Sequence, residues 1–345
     1  MATIQVLDNP TIHNLLINLS KEETTSFRDT IEQTLEAFSI NGERQYQPPP
    51  SILNQPPGPG PGPDGQSHGR KDPLHDVIVL TDGKGNPTGL LSSEEVTGYR
   101  TSMNAMVSFS WRKHVDHIVI FGAGMQALWH TRLILMLRGE EVRSITYISP
   151  SKERVDGLVA RVSGENRGRW RSGCSFHYVN SAALDAQREI ESCLSNADCV
   201  FCTTPSKKPL FAASYLTKME EGERRPLISA IGSWQPDMIE LDPSLLHDTI
   251  AANDGYNPAT GEEGRGVILI DDRDFGLESC GELVQSEIAA GGVVEIGEII
   301  ALRRGVDLTK VKEGHIENVN QFVSEGFSRL VMLSWGYTRR SREPF

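Results

Sequence analysis

No run of apolar residues in this 345-residue sequence is long enough to cross a bilayer as a helix. The first residues, Met1-Ala2-Thr3-Ile4-Gln5, carry neither a basic region nor an apolar core. No signal peptide is visible there, and a cytoplasmic location is expected. Positive charge is in short supply as well. With 34 Lys and Arg against 46 Asp and Glu, the net charge is −12, which argues against a nucleic-acid groove or an anionic membrane as a partner. Cysteine is scarce, and the set Cys174, Cys193, Cys199, Cys202 and Cys280 is odd in number. Cys199-Val-Phe-Cys202 has CxxC spacing, but no second pair and no His pair completes a zinc site. No metal is expected, and the thiols read as small buried groups. What remains is an ordinary globular composition, with 23% charged and 38% hydrophobic residues, on a chain long enough for two domains.

The chain is organised around His117-Ile-Val-Ile-Phe121-Gly122-Ala-Gly124-Met125-Gln126-Ala127. Ile118 to Phe121 form an apolar, largely β-branched run that suits a strand covered on both faces. Gly122, Gly124 and Ala127 then fall on the G-x-G-x-x-G/A spacing of a dinucleotide-binding turn. The first glycine permits the sharp bend, the second lets a pyrophosphate reach the backbone, and the small third residue lets the helix close on the strand. The amides of Met125 and Gln126, at a helix N-terminus, would face the phosphates. An apolar helix over Ala127–Leu137, Gly139 as its stop, and a second strand at Ser144–Ser149 complete the strand–helix–strand unit that the motif requires.

At the end of that second strand an NAD site usually offers a carboxylate to the ribose 2′-hydroxyl. The run here is Ser149-Pro150-Ser151-Lys152-Glu153-Arg154. Ser149, Ser151, Lys152 and Arg154 supply hydroxyls and cations suited to a 2′-phosphate, so NADP(H) is the expected cofactor. The same residues also fit a helix start, with Ser149 or Ser151 as N-cap and Pro near N1.

Elsewhere, a helix is read at about 24–38, with Phe27, Ile31, Leu35 and Phe38 on one stripe, as for a helix packed on a sheet. A Pro/Gly-rich stretch over 48–73 cannot form a core. Val77–Leu80, a turn at Asp82–Asn86 and Thr88–Leu91 read as a hairpin, followed by a helix from Glu94 to Met106 that carries Arg100. Further strands are read at 198–203, 227–232, 249–253 and 266–271, and helices at 182–193, from Gly281 through Ile300, and at about 317–335. In a doubly wound sheet, ligands bind beyond the strands' carboxyl ends, which places Thr203, Thr204, Ser233 and Trp234 near the cofactor.

Several of these pieces together resemble the ornithine cyclodeaminase/mu-crystallin family. They are Thr97-Gly-Tyr-Arg-Thr101, Phe121-Gly-Ala-Gly-Met-Gln-Ala127, Ala197-Asp198 leading to Thr203-Thr204, Pro209-Leu-Phe211, Ala230-Ile-Gly-Ser-Trp-Gln-Pro-Asp-Met-Ile-Glu-Leu-Asp242 and Glu295-Ile-Gly-Glu-Ile-Ile300. The order holds from about residue 77 to 302. The resemblance implies an α/β fold: a Rossmann doubly wound sheet over 115–295 that binds NAD(P)(H), plus a discontinuous α+β substrate-binding and dimerisation domain over 1–114 and 296–345. It implies a homodimer acting on a small imine or amino-acid-like molecule. Arg100 matches the Arg that clamps a substrate carboxylate, a task suited to a guanidinium fork. Gly122, Gly124, Gln126 and Ala127 match the phosphate turn, and Ser151 the hydroxyl beside the 2′-phosphate.

The departures narrow the chemistry. Cyclodeaminases of this family carry a catalytic Asp two residues before the Pro of the Gly-x-x-x-Pro segment. Here that place is Trp234, which cannot move a proton. The family's Arg after an early proline run is absent, and the segment that should bear its Lys is replaced by the Pro/Gly stretch, where Lys71 or Arg70 are the substitutes at hand. Reduction of a preformed imine needs only a hydride donor, a held substrate and a proton. An NADPH-dependent imine or ketimine reductase is therefore the expected function, with Arg100 on a carboxylate and Trp234 walling the pocket. A cyclodeaminase or amino-acid dehydrogenase using Glu240, Asp237 or His75 is the alternative, and a non-catalytic NADPH-dependent ligand binder the third reading.

Overall fold

A computed structural model describes residues 4–46, 77–218, 225–233, 235–251, 267–306 and 330–333. In chain order the elements are β1 (Gln5–Leu7), α1 (Asn9–Ile17), α2 (Lys21–Ile40), β2 (Val77–Thr81), β3 (Pro87–Ser92), α3 (Ser93–Trp111), β4 (His117–Phe121), α4 (Met125–Arg138), β5 (Ser144–Ser149), α5 (Lys152–Gly168) and β6 (Ser175–Asn180). They continue with α6 (Ala186–Ser195), β7 (Cys199–Cys202), α7 (Ser214–Thr217), β8 (Leu227–Ala230), α8 (Pro243–Ala251), β9 (Val267–Ile270), α9 (Arg273–Ser279), α10 (Gly281–Gln285), β10 (Val293–Glu295), α11 (Ile296–Arg303) and β11 (Leu330–Leu333).

Two compact units result: residues 1–18 with 45–97, and residues 19–44 with 98–345. In the smaller unit, β1 runs parallel and β2 antiparallel to β3. The β2–β3 turn is held by Asp82, whose Oδ1 accepts from the amides of Lys84 and Asn86 at 2.8 and 2.9 Å. Asp8 caps α1 by accepting from the Thr11 amide at 2.9 Å.

The larger unit is a doubly wound α/β domain. Its parallel eight-stranded sheet has the order β10-β9-β11-β8-β7-β4-β5-β6. From β4 the chain winds outward through β5 and β6, then returns to β7 on the other side of β4. The strand order therefore reverses between β4 and β7, and in such sheets the crevice for a ligand opens at that point. The central strands are buried on both faces, as parallel strands under helices must be: Ile118, Val119, Ile120 and Phe121 of β4 and all of β7 are 3% exposed or less.

Four readings of the sequence are corrected. Helix α2 packs on α11 and α4 rather than on a sheet, and Phe27 of its expected stripe is 42% exposed. The stretch 249–251, read as a strand, is the last turn of α8. The single helix expected from Gly281 to Ile300 is broken into α10, a 3-10 turn at Ala290–Gly292, β10 and α11, because Gly291-Gly292 interrupts the helix and Val293-Val294 favours extended backbone. The last four described residues, 330–333, are the strand β11 and not part of a helix. They lie between β8 and β9, inside the sheet. The Pro/Gly stretch 48–73 lies outside the described residues.

Candidate functional site

The turn after β4 has the geometry that its glycines suggested. Gly122 takes φ +107°, and a Cβ there would stand 2.8 Å from Thr203 Oγ1 and 3.2 Å from Thr204 Cγ2. Only glycine fits without displacing the end of β7. Gly124 is the N-cap of α4 and makes no side-chain cap, and a Cβ added to it meets nothing within 4 Å. No side chain caps the start of α4, and the space beside Gly124 is open. Ala127 is fully buried, as the third position of the fingerprint requires. This uncapped helix start at the switch point fits a dinucleotide pyrophosphate. Gln126 turns its side chain away from the turn, its Oε1 accepting from Ser102 Oγ of α3 at 3.2 Å.

At the carboxyl end of β5 the residues also fit. Ser151 is the N-cap of α5, accepting from the Arg154 amide at 3.3 Å, and Ser149 Oγ accepts from the Ser151 amide at 3.3 Å. Lys152 and Arg154 are exposed, with Lys152 paired to Asp156 at 2.6 Å. Glu153 is exposed in the first turn of α5. The cap and the basic turn coexist, as the run allowed.

The hydroxyls at the ends of β7 and β8 are largely committed to the protein. Thr203 Oγ1 donates to Phe121 O at 2.7 Å, which ties β7 to β4 across the switch point. Ser233 is buried and donates to Glu282 Oε1 at 2.5 Å. Thr204 donates from both N and Oγ1 to Glu240 Oε1, at 2.6 and 2.7 Å, and Gly232 N donates to Glu240 Oε2 at 2.7 Å. Glu282 Oε1 in turn accepts from Glu240 N at 2.7 Å. Two buried carboxyls, Glu240 and Glu282, therefore hold the two loops that leave the sheet beside the crevice. Burial, the largest influence, pushes the Glu240 carboxyl up to about 8 and raises Glu282 as well. In the sequence Glu240 stands only as an alternative base, and nothing there marks Glu282. A carboxyl is usually a surface group, and these two acids lie 42 residues apart.

Arg100 is half-buried on α3. Its placement follows from the contacts along that helix. Arg112 Nη2 donates to Arg225 O, just ahead of β8, at 2.8 Å. Ser108 Oγ reaches Met332 Sδ within β11 at 2.9 Å, and Asn104 Nδ2 donates to Asp271 Oδ2, just past β9, at 3.3 Å. The helix thus runs from the carboxyl edge of the sheet to its amino edge, and Arg100, one turn before Asn104, lies at the carboxyl edge. Of the alternative bases, Asp237 is exposed and paired with Lys207 at 2.5 Å, which lowers its pKa. Trp234, His75, Lys71 and Arg70 lie outside the described residues.

Cys199 and Cys202 are buried within β7 and unbridged. Among the described residues, no three His, Cys, Asp or Glu side chains form a group able to hold a metal ion, and no helix is long and apolar enough to cross a membrane.

No family model matches the chain. Among curated proteins it is 25% identical over 249 residues to the uncharacterized protein YGL159W of Saccharomyces cerevisiae, covering 67% of this chain and 64% of that one. It is 28% identical over 188 residues to an uncharacterized cyclodeaminase of Dictyostelium discoideum, covering 52% of this chain and 50% of that one. The mouse ketimine reductase mu-crystallin matches at 22% over 269 residues, 75% of this chain and 69% of that one. The chain thus spans less than two thirds of the first two relatives' lengths. Among solved structures, the fold matches a Δ1-pyrroline-2-carboxylate reductase of Thermococcus litoralis in complex with NADH and L-proline, with a TM-score of 0.60 and 16% identity over 96% of this chain and 92% of that one. It also matches a probable ornithine cyclodeaminase of Bordetella pertussis, with a TM-score of 0.60 and 17% identity over 96% and 91%.

Proposed function

We propose, from a resemblance to the ornithine cyclodeaminase/mu-crystallin family that its relatives and its fold both bear out, that this chain is an NADPH-dependent reductase of carbon–nitrogen double bonds. The observation that carries the reading is the uncapped start of α4 behind Gly122 at the β4/β7 switch point, with Arg100 on the same edge of the sheet. Bound there, a reduced nicotinamide dinucleotide supplies hydride. The backbone at Gly124, Met125 and Gln126 holds the diphosphate. Ser151, Lys152 and Arg154 receive a 2′-phosphate, since no carboxylate ends β5 to hold a free 2′-hydroxyl. Arg100 clamps a carboxylate on the substrate.

Reduction asks less of this site than cyclodeamination, which must oxidise an amine, release ammonia and reduce the cyclic imine in turn. Asp237, exposed and engaged by Lys207, is not placed to serve those extra steps. A second copy of the chain is the proposed cover for the smaller unit's sheet, where Val6 is 70% exposed, Val77 65% and Val79 39%. The test is to mix purified protein with NADPH and a panel of cyclic imines, and separately with L-ornithine and NAD⁺. NADPH consumption supports the reductase and ammonia release the cyclodeaminase. Tight cofactor binding with neither outcome identifies a ligand binder.

A further inference from the structure

Imine reduction needs a proton as well as a hydride, and the residue that moves protons in cyclodeaminases has no counterpart in this sequence. The cluster behind the crevice supplies one. Thr204 is half-buried at the end of β7. Its methyl lies 3.2 Å from where a Gly122 Cβ would be, so the side chain adjoins the dinucleotide turn. Its hydroxyl lies 2.7 Å from Glu240 Oε1, a normal hydroxyl–carboxyl distance. Glu240 itself is fully buried and cannot reach a ligand. Its backbone is fixed by Leu210 N donating to Glu240 O at 2.8 Å and by Ile239 N donating to Ser206 O at 2.9 Å.

We propose that Glu240 and Thr204 form a proton relay in which the Thr204 hydroxyl is the catalytic acid and Glu240 its proton source. The relay rests on the reductase reading. A threonine hydroxyl has one proton to donate and two lone pairs to accept with. The bond that Thr204 Oγ1 gives to Glu240 Oε1 therefore reverses when Glu240 is protonated: the hydroxyl then accepts from the carboxyl and has its own proton to give to an imine nitrogen. As the imine carbon accepts hydride, leaving the nicotinamide oxidised, the C=N π pair moves onto nitrogen, which takes the Thr204 proton. Thr204 Oγ1 takes the Glu240 proton in the same movement. The carboxylate left at Glu240 is met by the Thr204 N, Thr204 Oγ1 and Gly232 N donors already in place, and water later returns a proton.

The surroundings favour a protonated Glu240 at rest. The titratable groups that bear on it or on its near neighbours are Glu282 at the start of α10, Cys202 at the end of β7 and Cys280 beside Glu282. Burial raises all three, and for the two thiols the nearby acids add to it. Burial is also the largest influence on Glu240, opposed by its hydrogen bonds from Thr204 and Gly232 and reinforced by Glu282. The group therefore titrates at about 8, in the range a neutral-pH acid needs.

The first arm of the test needs no substrate. Infrared difference spectra of the purified chain, wild type against E240Q, are titrated from about pH 6 to about pH 10, bracketing the range useful to a general acid. A protonated-carboxyl band that E240Q lacks, fading through the region of 8, is expected. A carboxylate signal from Glu240 across the whole range overturns the relay. The second arm uses NADPH and a cyclic imine that the wild type reduces. T204V should lose at least about tenfold in kcat, with its NADPH Kd within about threefold of wild type, and T204S should recover most of the loss. Should E240Q or T204V fail to fold, the wild-type kcat profile decides: a fall on the alkaline side supports the relay, and a flat profile overturns it. A T204V enzyme with undiminished kcat refutes the relay and leaves the reductase reading intact. A wild type that reduces no imine sinks that reading and the relay with it.

Discussion

The two glycines of the β4–α4 turn make a paired prediction, because the structure assigns them different tasks. At Gly122 the backbone is at φ +107°, and an alanine Cβ would meet Thr203 Oγ1 at 2.8 Å. That oxygen cannot swing aside without giving up its 2.7 Å bond to Phe121 O. Holding a non-glycine residue in such a conformation costs about 1–3 kcal/mol, and a lost hydrogen bond adds about 1 kcal/mol. G122A should therefore lose about 2–4 kcal/mol and melt several degrees lower without any ligand. At Gly124, φ is −98° and ψ −166°, and the added Cβ meets nothing within 4 Å. G124A should unfold within about 0.5 kcal/mol of wild type. Both variants should weaken NADPH by at least tenfold, about 1.4 kcal/mol, G124A solely because its methyl occupies space that the pyrophosphate needs. Thermal unfolding without ligand and calorimetry with NADPH measure the two effects separately. A G124A protein that binds NADPH as wild type does would refute the placement of the diphosphate. A G122A protein with unchanged thermal stability would refute the geometry of the turn.

Three further outcomes follow. R100A should raise KM for a carboxylated imine by at least about tenfold, the worth of a charge-assisted pair, while leaving KM for an uncharged imine nearly unchanged; steady-state kinetics on the two substrates checks it. R154A should weaken NADPH but not NADH, read from the two dissociation constants. His130 is fully buried, and burial pulls its pKa down to about 4. The native state therefore binds fewer protons there than the unfolded chain, so this contribution to stability is present above about pH 6.5 and is lost as pH falls toward 4. Urea unfolding should show the wild type losing up to about 3 kcal/mol relative to H130N over that interval, and a pH-independent difference between the two would contradict it.

What the sequence disclosed and what it hid have different physical origins. The β4–turn–α4–β5 unit was legible because its signals are local: a β-branched run, a glycine pair at fixed spacing and a hydroxyl cap. β5 occupies the expected residues, and β4 and α4 differ only at their ends. β11 was hidden because a short strand buried on both faces has no polar–apolar alternation, so Leu330–Leu333 could equally belong to an amphipathic helix. The last turn of α8 was misread from the β-branched pair Thr249-Ile250, although Thr249 sits inside the helix with Oγ1 donating to Leu245 O at 2.7 Å. At the site, Gly122 is marked by the local glycine spacing, and Thr203 and Thr204, which adjoin it, by their place at a strand end. The Glu240–Glu282 support behind them was not, because only the folded chain brings those acids together.

Hydride transfer from a nicotinamide to an imine carbon is open to a single labelling measurement. A cyclic imine is turned over with NADPH deuterated at the transferring position, and the amine is analysed by mass spectrometry. Deuterium is expected on the former C=N carbon of the product. An unlabelled amine, or protein that binds NADPH yet reduces no imine in the panel, would rule the proposed function out.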